Sequence, residues 1–398
     1  MPDTCDVAII GGGVIGCAIA HRLGTEGRSV VLVEEGARLG LGASDAAMGG
    51  ILTQTEPACL GPLSKVIKRS RDMYPGWLAE LSGVSGLEVP LLEGGDIQVA
   101  LDDAGMERLD TELLPRWKNS PFKVERLGPA EARELEPLLS EAVVGGFLLP
   151  DELALDPREL MSALAATLGR SGRVRVLTEA RATAVTSGPR GARVYLASGD
   201  RVSADTVIVA AGHLSGTLLP ALSEHLFPIR GVAYDARPPG VTGYALRHHV
   251  FAEFEENGVE YFPYLVPRHD GRVAVGVTYE ENVGDPTVTE QALAEIRHGV
   301  AAMMPEAAAW PVGRTWAGLR PGSRDHMPLI GRVDGHRGVI VATGHSGLGV
   351  TLAPVTAELV SALVGGHIDD ATRDLLEICR PDRDFSPRGA AEDVAVPR

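Results

Sequence analysis

The spacing of hydrophobic residues changes twice near the start of the chain. Residues 5–10 (CDVAII) form a short apolar run that stops at a glycine cluster, which is typical of a buried strand. In residues 14–26 the apolar positions recur with helical spacing, and residues 29–34 (SVVLVE) return to a β-branched run. The pattern predicts a β-α-β unit, in which the two strands are parallel and the crossover is right-handed.

The rest of the chain alternates between helical and strand-like stretches. The predicted helices are residues 64–84, 156–169, 288–303 and 351–364, and the later predicted strands include residues 96–101, 143–148, 206–211 and 338–343. Asp156 and Pro157 mark the start of one helix, because an aspartate caps the first turn and a proline suits the first helical position. Residues 36–62 are rich in Gly, Ala and Ser without a clear period, which is typical of a loop that wraps a ligand.

Two kinds of region therefore interleave along the chain, and its length of 398 residues favours two domains. The predicted fold is α/β, with a Rossmann-like domain interleaved with a strand-rich α+β domain. The first domain is expected to comprise residues 1–85, 150–220 and 320–379, and the second residues 86–149 and 221–319. Residues 380–398 are rich in proline and charge, and we expect them to form a poorly ordered tail.

Charge and cysteine usage exclude several classes of protein. The formal net charge is −16, so the basic footprint of a nucleic-acid or anionic-membrane binder is missing. Cys5, Cys17, Cys59 and Cys379 form no CxxC pair and no zinc-ligand spacing, which predicts no metal site. The chain has no signal-peptide layout and no apolar run of about 18 residues, so we expect no membrane span. These features predict a soluble cytoplasmic protein.

A glycine-rich motif joins the first predicted strand to the first helix. The segment GGGVIG at residues 11–16 is a GxGxxG, and the acidic residue Glu34 ends the next strand. Gly11 permits the tight turn, Gly13 lets the backbone approach a pyrophosphate, and Gly16 lets the helix pack closely on the strand. The helix N-terminus offers N–H groups to phosphates, and Glu34 accepts hydrogen bonds from ribose hydroxyls. The predicted dinucleotide-binding residues here are Gly11, Gly13, Val14, Ile15, Gly16, Glu34 and Glu35.

Two later segments extend this prediction to a longer cofactor. Residues 204–212 (ADTVIVAAG) form a strand that ends in small residues, and residues 338–354 (GVIVATGHSGLGVTLAP) run from a buried strand through three glycines into a helix. The start of that helix is placed to direct N–H groups at the N1–C2=O edge of an isoalloxazine ring, which becomes negative on reduction. The three segments together predict FAD. The further predicted FAD contacts are Ser44, Ala182, Ala211, Gly212, Gly344, Gly347, Leu348, Gly349, Val350 and Thr351.

The order of these segments resembles the D-amino acid oxidase family of flavoproteins. The segments that carry the resemblance are VAIIGGGVIGCAIAHRL, LVEE, GASDAAMGG, DTVIVAAG, YLVPRHDGRVAVGVT, AGLRPGSRDHMPLIG and ATGHSGLGVTLAP. They cover nearly the whole chain, to about residue 378. Within the family the chain is most similar to the branch of glycine oxidases and D-amino acid dehydrogenases.

The resemblance implies roles for two pocket residues. An arginine in the position of Arg320 pairs with the substrate carboxylate, and a guanidinium suits this task because it offers a planar carboxylate two parallel donors. Tyr264 matches an aromatic residue of the substrate pocket. The alternatives are that Arg320 bridges two structural carboxylates and that Tyr264 only packs on its strand.

Two departures from the family pattern affect what the resemblance implies. Glycine oxidases carry a further arginine near the flavin where this chain has Gly347, which indicates a substrate other than glycine and a local likeness to the dehydrogenase branch. Relatives with covalent flavin carry a cysteine just before the AGLRP-type turn, where this chain has Gly318. The resemblance therefore implies noncovalent FAD.

The function that these features predict is oxidation of the C–N bond of a small amine or amino acid. A hydride passes from Cα to flavin N5 without a protein base, so the candidate histidines His213, His248, His249, His326 and His345 are expected to be structural or solvated. Two points stay open. The electron acceptor is dioxygen or another molecule, and the chain is a monomer or a homo-oligomer. The alternatives are a 2-hydroxy acid dehydrogenase and a flavin-carrying subunit of an electron-transfer complex.

Overall fold

The computed structural model describes residues 3–189 and 191–385, and within them two large sheets dominate the fold. The α-helices are α1 Val14–Thr25, α2 Leu63–Ser85, α3 Asp103–Arg108, α4 Leu114–Lys118, α5 Pro129–Leu135, α6 Pro157–Arg170, α7 Ser215–Leu218, α8 Glu290–Met303, α9 Gly349–Gly365 and α10 Asp370–Cys379. The strands are β1 Asp3–Ile10, β2 Val30–Val33, β3 Gly50–Ile51, β4 Asp96–Ala100, β5 Glu125–Leu127, β6 Gly145–Leu149, β7 Leu153–Ala154, β8 Val174–Leu177, β9 Ala182–Gly188, β10 Gly191–Leu196, β11 Arg201–Val209, β12 Leu226–Ala236, β13 His249–Ala252, β14 Phe254–Glu256, β15 Val259–Tyr261, β16 Tyr264–Pro267, β17 Val273–Gly276, β18 Glu280–Glu281, β19 Val312–Ser323, β20 Leu329–Arg332 and β21 Val339–Thr343.

The first sheet is built around a parallel core. Its strand order is β20-β21-β11-β1-β2-β8, and β10 and β9 extend it from β11 as antiparallel strands. Strands β21, β11, β1, β2 and β8 run parallel, as a β-α-β arrangement requires. The predicted first unit is confirmed, because α1 lies between the parallel neighbours β1 and β2 in the sequence and packs against the sheet.

The helices α1, α2, α6 and α9 cover one face of this sheet. Their apolar residues share one core cluster with β1, in which Ile9, Ile19 and Leu352 are fully buried. The start of α6 follows the predicted capping chemistry, because the Asp156 carboxylate accepts a hydrogen bond from the backbone N–H of Arg158 at 2.9 Å.

The second sheet has the strand order β18-β12-β17-β16-β13-β4-β6-β5, with β19 paired to β12. Its neighbours are antiparallel except for β13 and β4. Helix α8 covers one face, where Ile296 and Val300 pack against Val232 and Val275 of the sheet. Strand β19 continues to Ser323, so it carries Arg320 within this second sheet and extends past the predicted domain boundary at residue 320.

Among the residues that the structure describes, the helical segment Ser346–Gly365 is long and apolar enough to cross a membrane by length and composition, and 72% of its apolar 18-residue window is buried inside the structure. It contains α9, which packs against both α1 and α2. Burial within this helical layer accounts for its apolar sequence.

The expectation of a poorly ordered tail from about residue 380 is wrong for its first residues. Arg383 is 3% exposed and its guanidinium donates to both carboxylate oxygens of Asp325, at 2.6 and 2.7 Å. It also donates to the carbonyl oxygens of Pro328 and Met327, at 3.0 and 2.8 Å. A single buried arginine thus fixes this segment, a tertiary effect that composition does not reveal. Residues 386–398 of the predicted tail lie outside the described residues.

We expect Arg383→Met to lower the free energy of unfolding by about 3–5 kcal/mol, because it leaves the partly buried Asp325 carboxylate without its partner. Urea unfolding followed by circular dichroism would measure the loss. Arg380→Met is the matched control, since its ion pair with Glu377 is exposed and should contribute less than about 1 kcal/mol. Equal effects of the two substitutions would contradict this account.

Candidate active site

A cavity of about 550 Å³ lies between the two sheets. It begins at the carboxyl ends of β1 and β2, where Gly11 and Glu34 line it, and extends to the second sheet at Tyr264 and Arg320. Its volume is within the usual range for small-molecule sites, and its place at the carboxyl edge of a parallel sheet is where such folds bind ligands.

The glycines of the first turn make room for a ligand by excluding side chains. Gly11 has φ +107°, and a Cβ there would lie 2.3 Å from the carbonyl oxygen of Ala210. A Cβ on Gly16 would lie 1.9 Å from the carbonyl oxygen of Gly11, so α1 can start only with glycine at this position. The N-terminus of α1 therefore opens directly onto the cavity, which suits an anionic group.

Two side chains complete this end of the cavity. The Ser44 hydroxyl accepts a hydrogen bond from the backbone N–H of Val14 at 2.9 Å, and it lines the cavity beside the first turn of α1. The Glu34 carboxylate accepts from the backbone N–H groups of Gly12 and Gly36, at 2.6 and 2.7 Å. These bonds hold Glu34 at the cavity wall, where a sugar hydroxyl could donate to it.

Most of the predicted cofactor residues line this cavity. They are Gly11, Gly13, Val14, Ile15, Glu34, Glu35, Ser44, Ala182, Ala211, Gly212, Gly347, Gly349 and Val350. They come from four separated parts of the chain, near residues 11–44, 182, 211–212 and 347–350, which the fold brings to one cavity. A cavity lined by a helix N-terminus and by the Glu34 carboxylate fits FAD, whose pyrophosphate and ribose require these two features.

Four predicted contacts do not line the cavity, and the structure gives each another role. Gly16 is packed on Gly11, as described above. Gly344 has φ +73° and is covered by Leu329, since a Cβ there would lie 2.7 Å from the Leu329 side chain. Leu348 is fully buried in the helical core, and the Thr351 hydroxyl accepts from the backbone N–H of Leu52 at 2.9 Å. The packing of Gly16 is the role that the motif predicts for it, and contact of these four residues with the cofactor stays a prediction.

Arg320 lies at the far end of the cavity from α1. Its guanidinium rests against Gly231, where a Cβ would lie 2.3 Å from Nη1, and it donates to the carbonyl oxygen of Thr278 at 3.3 Å. The guanidinium carbon is also 5.7 Å from the centre of the Tyr279 ring. Within residues 3–189 and 191–385, no carboxylate lies within 4 Å of Arg320, so it does not bridge two structural carboxylates. Its charge is left to meet a ligand in the cavity.

Tyr264 does more than pack on its strand. It is 6% exposed and lines the cavity, and its hydroxyl lies 2.8 Å from Nδ1 of His249. Burial raises the pKa of the Tyr264 phenol well above its usual value of 10.0, so the group stays protonated. A Cβ on Gly50 would lie 2.5 Å from this hydroxyl, which shows how closely strand β3 approaches it.

The histidines at the site are uncharged at neutral pH. Burial lowers the pKa of His249 and that of His345 to about 3. His345 lines the cavity, and its Nε2 lies 3.1 Å from the Thr356 hydroxyl. Neither histidine is suited to take a proton from a substrate near neutral pH, in line with a reaction that needs no protein base.

The sequence analysis missed three polar residues at the Arg320 end of the cavity. The Glu56 carboxylate lies over Gly347, where a Cβ would be 2.2 Å from Oε1. Tyr279 hydrogen-bonds to Ser346, and burial raises its pKa to about 12. Glu56 belongs to the loop of residues 36–62 that was predicted to wrap a ligand, but a single acidic residue in an aperiodic loop carries no signal of its own.

The structure also bears on how the flavin is held. Gly318 lines the cavity, and a Cβ there would lie 2.3 Å from the Cβ of Ala46, so a cysteine could not be accommodated without movement. All four cysteines of the chain are buried, and none lines the cavity. In the part of the chain that the structure describes, no group of three His, Cys, Asp or Glu side chains could hold a metal ion.

A parallel sheet with a glycine-bounded helix N-terminus, and a cavity that holds an unpaired arginine, is an arrangement that suits an FAD-dependent oxidoreductase. Residues 6–363 match the family model DAO, FAD dependent oxidoreductase. The chain therefore belongs to the DAO family, and its cofactor is FAD.

Proteins similar to this chain include several glycine oxidases. The chain is 31% identical to the glycine oxidase of Geobacillus kaustophilus over 369 residues, which cover 92% of this chain and 94% of that protein. A crystal structure of glycine oxidase from the same organism superposes with a TM-score of 0.84 at 29% identity, covering 92% of this chain and 96% of that one. The glycine oxidase structure from Bacillus cereus gives 0.83 at 26% identity, covering 97% and 99%.

We expect Gly11→Ala to abolish FAD binding, because the new methyl group would collide with the Ala210 carbonyl oxygen and the left-handed φ would be strained. The ratio of flavin absorbance to protein absorbance after purification would measure it. Gly76→Ala, on helix α2 with nothing within 4 Å of the added Cβ, is the control and should retain full flavin. Full flavin content in Gly11→Ala would refute this role.

We expect His345→Gln to remove a pH-dependent part of the stability. The folded pKa of His345 lies near 3 and its ordinary value is 6.5, so below that value the unfolded chain binds a proton that the folded protein does not. Stability therefore falls as the pH falls, by about 1.4 kcal/mol per unit between about pH 6 and pH 4, in the wild type relative to the variant. Urea unfolding at several pH values would test this, with the exposed His367→Gln as control. A difference that does not change with pH would contradict it.

Proposed function

We propose that the protein oxidises the C–N bond of a small amino acid whose carboxylate pairs with Arg320, and that it passes the electrons to dioxygen with formation of hydrogen peroxide. The observation that carries the proposal is the unpaired Arg320 guanidinium at the end of the cavity. An arginine in this setting offers two parallel donors to a planar carboxylate and keeps its charge when partly buried.

The side chains around Arg320 would bind and orient the substrate. Arg320 itself is held by the Thr278 carbonyl oxygen and by the Tyr279 ring, so its donors have a fixed direction. Tyr264 forms the wall from the second sheet, and its protonated hydroxyl is held by His249. Bound FAD would supply the acceptor for the electron pair that leaves the substrate. Because Arg320 would hold the substrate carboxylate in one place, the rest of the substrate would be aligned for the reaction.

The proposal of an amino acid substrate is supported by the relatives, since the similar proteins named above are glycine oxidases. Their name also supports dioxygen as the acceptor. The four buried cysteine thiols support a reducing compartment, and we infer a cytoplasmic location on this ground. No residue in the described cavity is required to act as a base, because the neutral amine carries its own lone pair.

We expect anaerobic addition of the right amino acid to bleach the flavin band near about 450 nm, and air to restore it. The panel should contain glycine, sarcosine, D- and L-amino acids and the matching 2-hydroxy acids. Bleaching by amino acids alone supports the proposal. Bleaching by hydroxy acids alone would favour an enzyme that oxidises C–O bonds. Bleaching that air does not reverse would indicate an electron acceptor other than dioxygen.

We expect Arg320→Met to lower kcat/KM for that amino acid by about 100-fold or more, because the substrate carboxylate would be buried without a charged partner. Arg320→Lys should recover only part of the loss, since an ammonium lacks the parallel donors. Arg314→Met is the control, because Arg314 pairs with Asp45 and does not line the cavity. Unchanged kcat/KM in a flavin-loaded Arg320→Met would remove the basis of the proposal.

A further inference from the structure

The cavity contains a second charged side chain near Arg320 that the mechanism above does not use. Glu56 lines the cavity together with Arg320, Gly347 and Tyr264. It is a partly buried carboxylate in a wall that is otherwise mostly apolar and glycine-rich. A carboxylate in such a place is costly unless something compensates its charge.

Gly347 is the reason that the Glu56 carboxylate can lie where it does. A Cβ at residue 347 would stand 2.2 Å from Oε1, 3.1 Å from Cδ and 3.2 Å from Oε2 of Glu56. The carboxylate thus fills the space that any side chain at position 347 would take. The position of the Glu56 carboxylate therefore depends on the absence of a side chain at residue 347.

The Glu56 carboxylate has no hydrogen-bond or ion-pair partner within residues 3–189 and 191–385. Burial raises the pKa of Glu56 above its usual value, and the charge of Arg320 opposes this shift in part, so the two groups interact electrostatically through the cavity. They are nevertheless more than 4 Å apart, since they form no salt bridge. A carboxylate and a guanidinium therefore face the same cavity with a gap between them.

Hydrogen bonds to one buried carboxylate hold the backbone that leads to Glu56. The Glu152 carboxylate accepts hydrogen bonds from three consecutive backbone N–H groups, those of Thr53, Gln54 and Thr55, at 2.8, 2.6 and 2.9 Å. Glu152 is fully buried. Because the three residues before Glu56 are fixed in this way, its carboxylate cannot easily withdraw to solvent by movement of the loop.

The substrate nitrogen that loses the C–N electrons is a poor partner for this carboxylate. Hydride leaves Cα only when the α-nitrogen has its lone pair, whereas a carboxylate next to that nitrogen would stabilise the protonated ammonium form. A cationic group elsewhere on the substrate has no such conflict. It could keep its charge against Glu56 throughout the reaction.

We propose that Glu56 is the subsite for a cationic side chain, so that the preferred substrates are basic amino acids held by the carboxylate at Arg320 and by the side-chain cation at Glu56. The inference rests on the proposed function, because the carboxylate at Arg320 sets the direction of the side chain. It adds the substrate class that the geometry of Arg320 alone leaves open.

The first test measures binding without turnover. The probes are 6-aminohexanoate and heptanoate, which share a carboxylate and chain length and differ in a terminal ammonium or methyl group. Binding to the flavin-loaded protein is followed by calorimetry. We expect the wild type to bind 6-aminohexanoate about tenfold or more tightly than heptanoate, and Glu56→Gln to lose this ratio. Glu93→Gln, an exposed glutamate outside the cavity, is the matched control and should keep it.

Equal binding of the two probes by the wild type, or a ratio that survives in Glu56→Gln, overturns the proposal. Should Glu56→Gln fail to fold, Glu56→Asp keeps the charge but withdraws it by one methylene, and a reduced ratio supports the same conclusion. The ratio of the two probe affinities in the wild type tests the proposal whether or not the variants fold.

The second test compares lysine with norleucine, which lacks only the side-chain ammonium, in each enantiomer and by kcat/KM. A preference for lysine that Glu56→Gln removes supports the subsite. An equal loss for both substrates would show that Glu56 acts on the α-nitrogen and would overturn it. If the probes show the binding preference but no amino acid reduces the flavin, the proposed function fails while the cation subsite stands. If amino acids are turned over without any preference for a basic side chain, the cation subsite fails while the proposed function stands.

Discussion

The buried Glu152 carboxylate is the interaction on which the arrangement of the cavity depends. It holds the backbone of residues 53–55 by three N–H groups, and the Thr55 hydroxyl, 3.0 Å from it, also lies 2.9 Å from the Asp96 carboxyl of β4. Burial raises the pKa of Glu152 to about 7, while these hydrogen bonds act in the opposite direction. Burial and the charge of Glu152 raise the pKa of Asp96 well above its usual value, and the hydrogen bond that the Thr55 hydroxyl donates to Asp96 opposes this shift. Glu152 and the Thr55 hydroxyl thereby link the loop of residues 53–55 to strand β4 of the second sheet.

The contacts of Glu152 lie between two chemically different ends of the cavity. The end at Gly11 is built by the parallel sheet and α1, whose N-terminus and small residues suit a phosphate. The other end is built by the antiparallel pair β12 and β19, in which the Arg320 guanidinium lies against Gly231. The loop held by Glu152 closes the space between them and brings Glu56 over Gly347. The cofactor end and the substrate end therefore depend on the same buried contacts.

The sequence predicted those parts of the site that follow from local backbone geometry. The tight turn at Gly11 and the cap at Asp156 need particular residues at fixed offsets, and both are found where they were expected. Glu56 could not be predicted, because its position depends on Glu152, which is far away in the chain and is drawn in by three backbone N–H groups. The ordered structure of residues 380–385 could not be predicted for the same reason, since Arg383 contacts Asp325 only in the folded protein. Contacts between distant segments leave no period in the sequence.

The charge of the whole protein bears on the choice of substrate. A formal net charge of −16 repels anions at long range and attracts cations, although salt weakens both effects beyond a distance of about 8–10 Å. A small amino acid with a neutral side chain carries no net charge and gains little from this field. A basic amino acid carries a net positive charge, so the field favours its approach, and Arg320 then has to bind only its carboxylate. The global charge, the unpaired guanidinium and the carboxylate over Gly347 thus favour the same class of molecule through independent interactions.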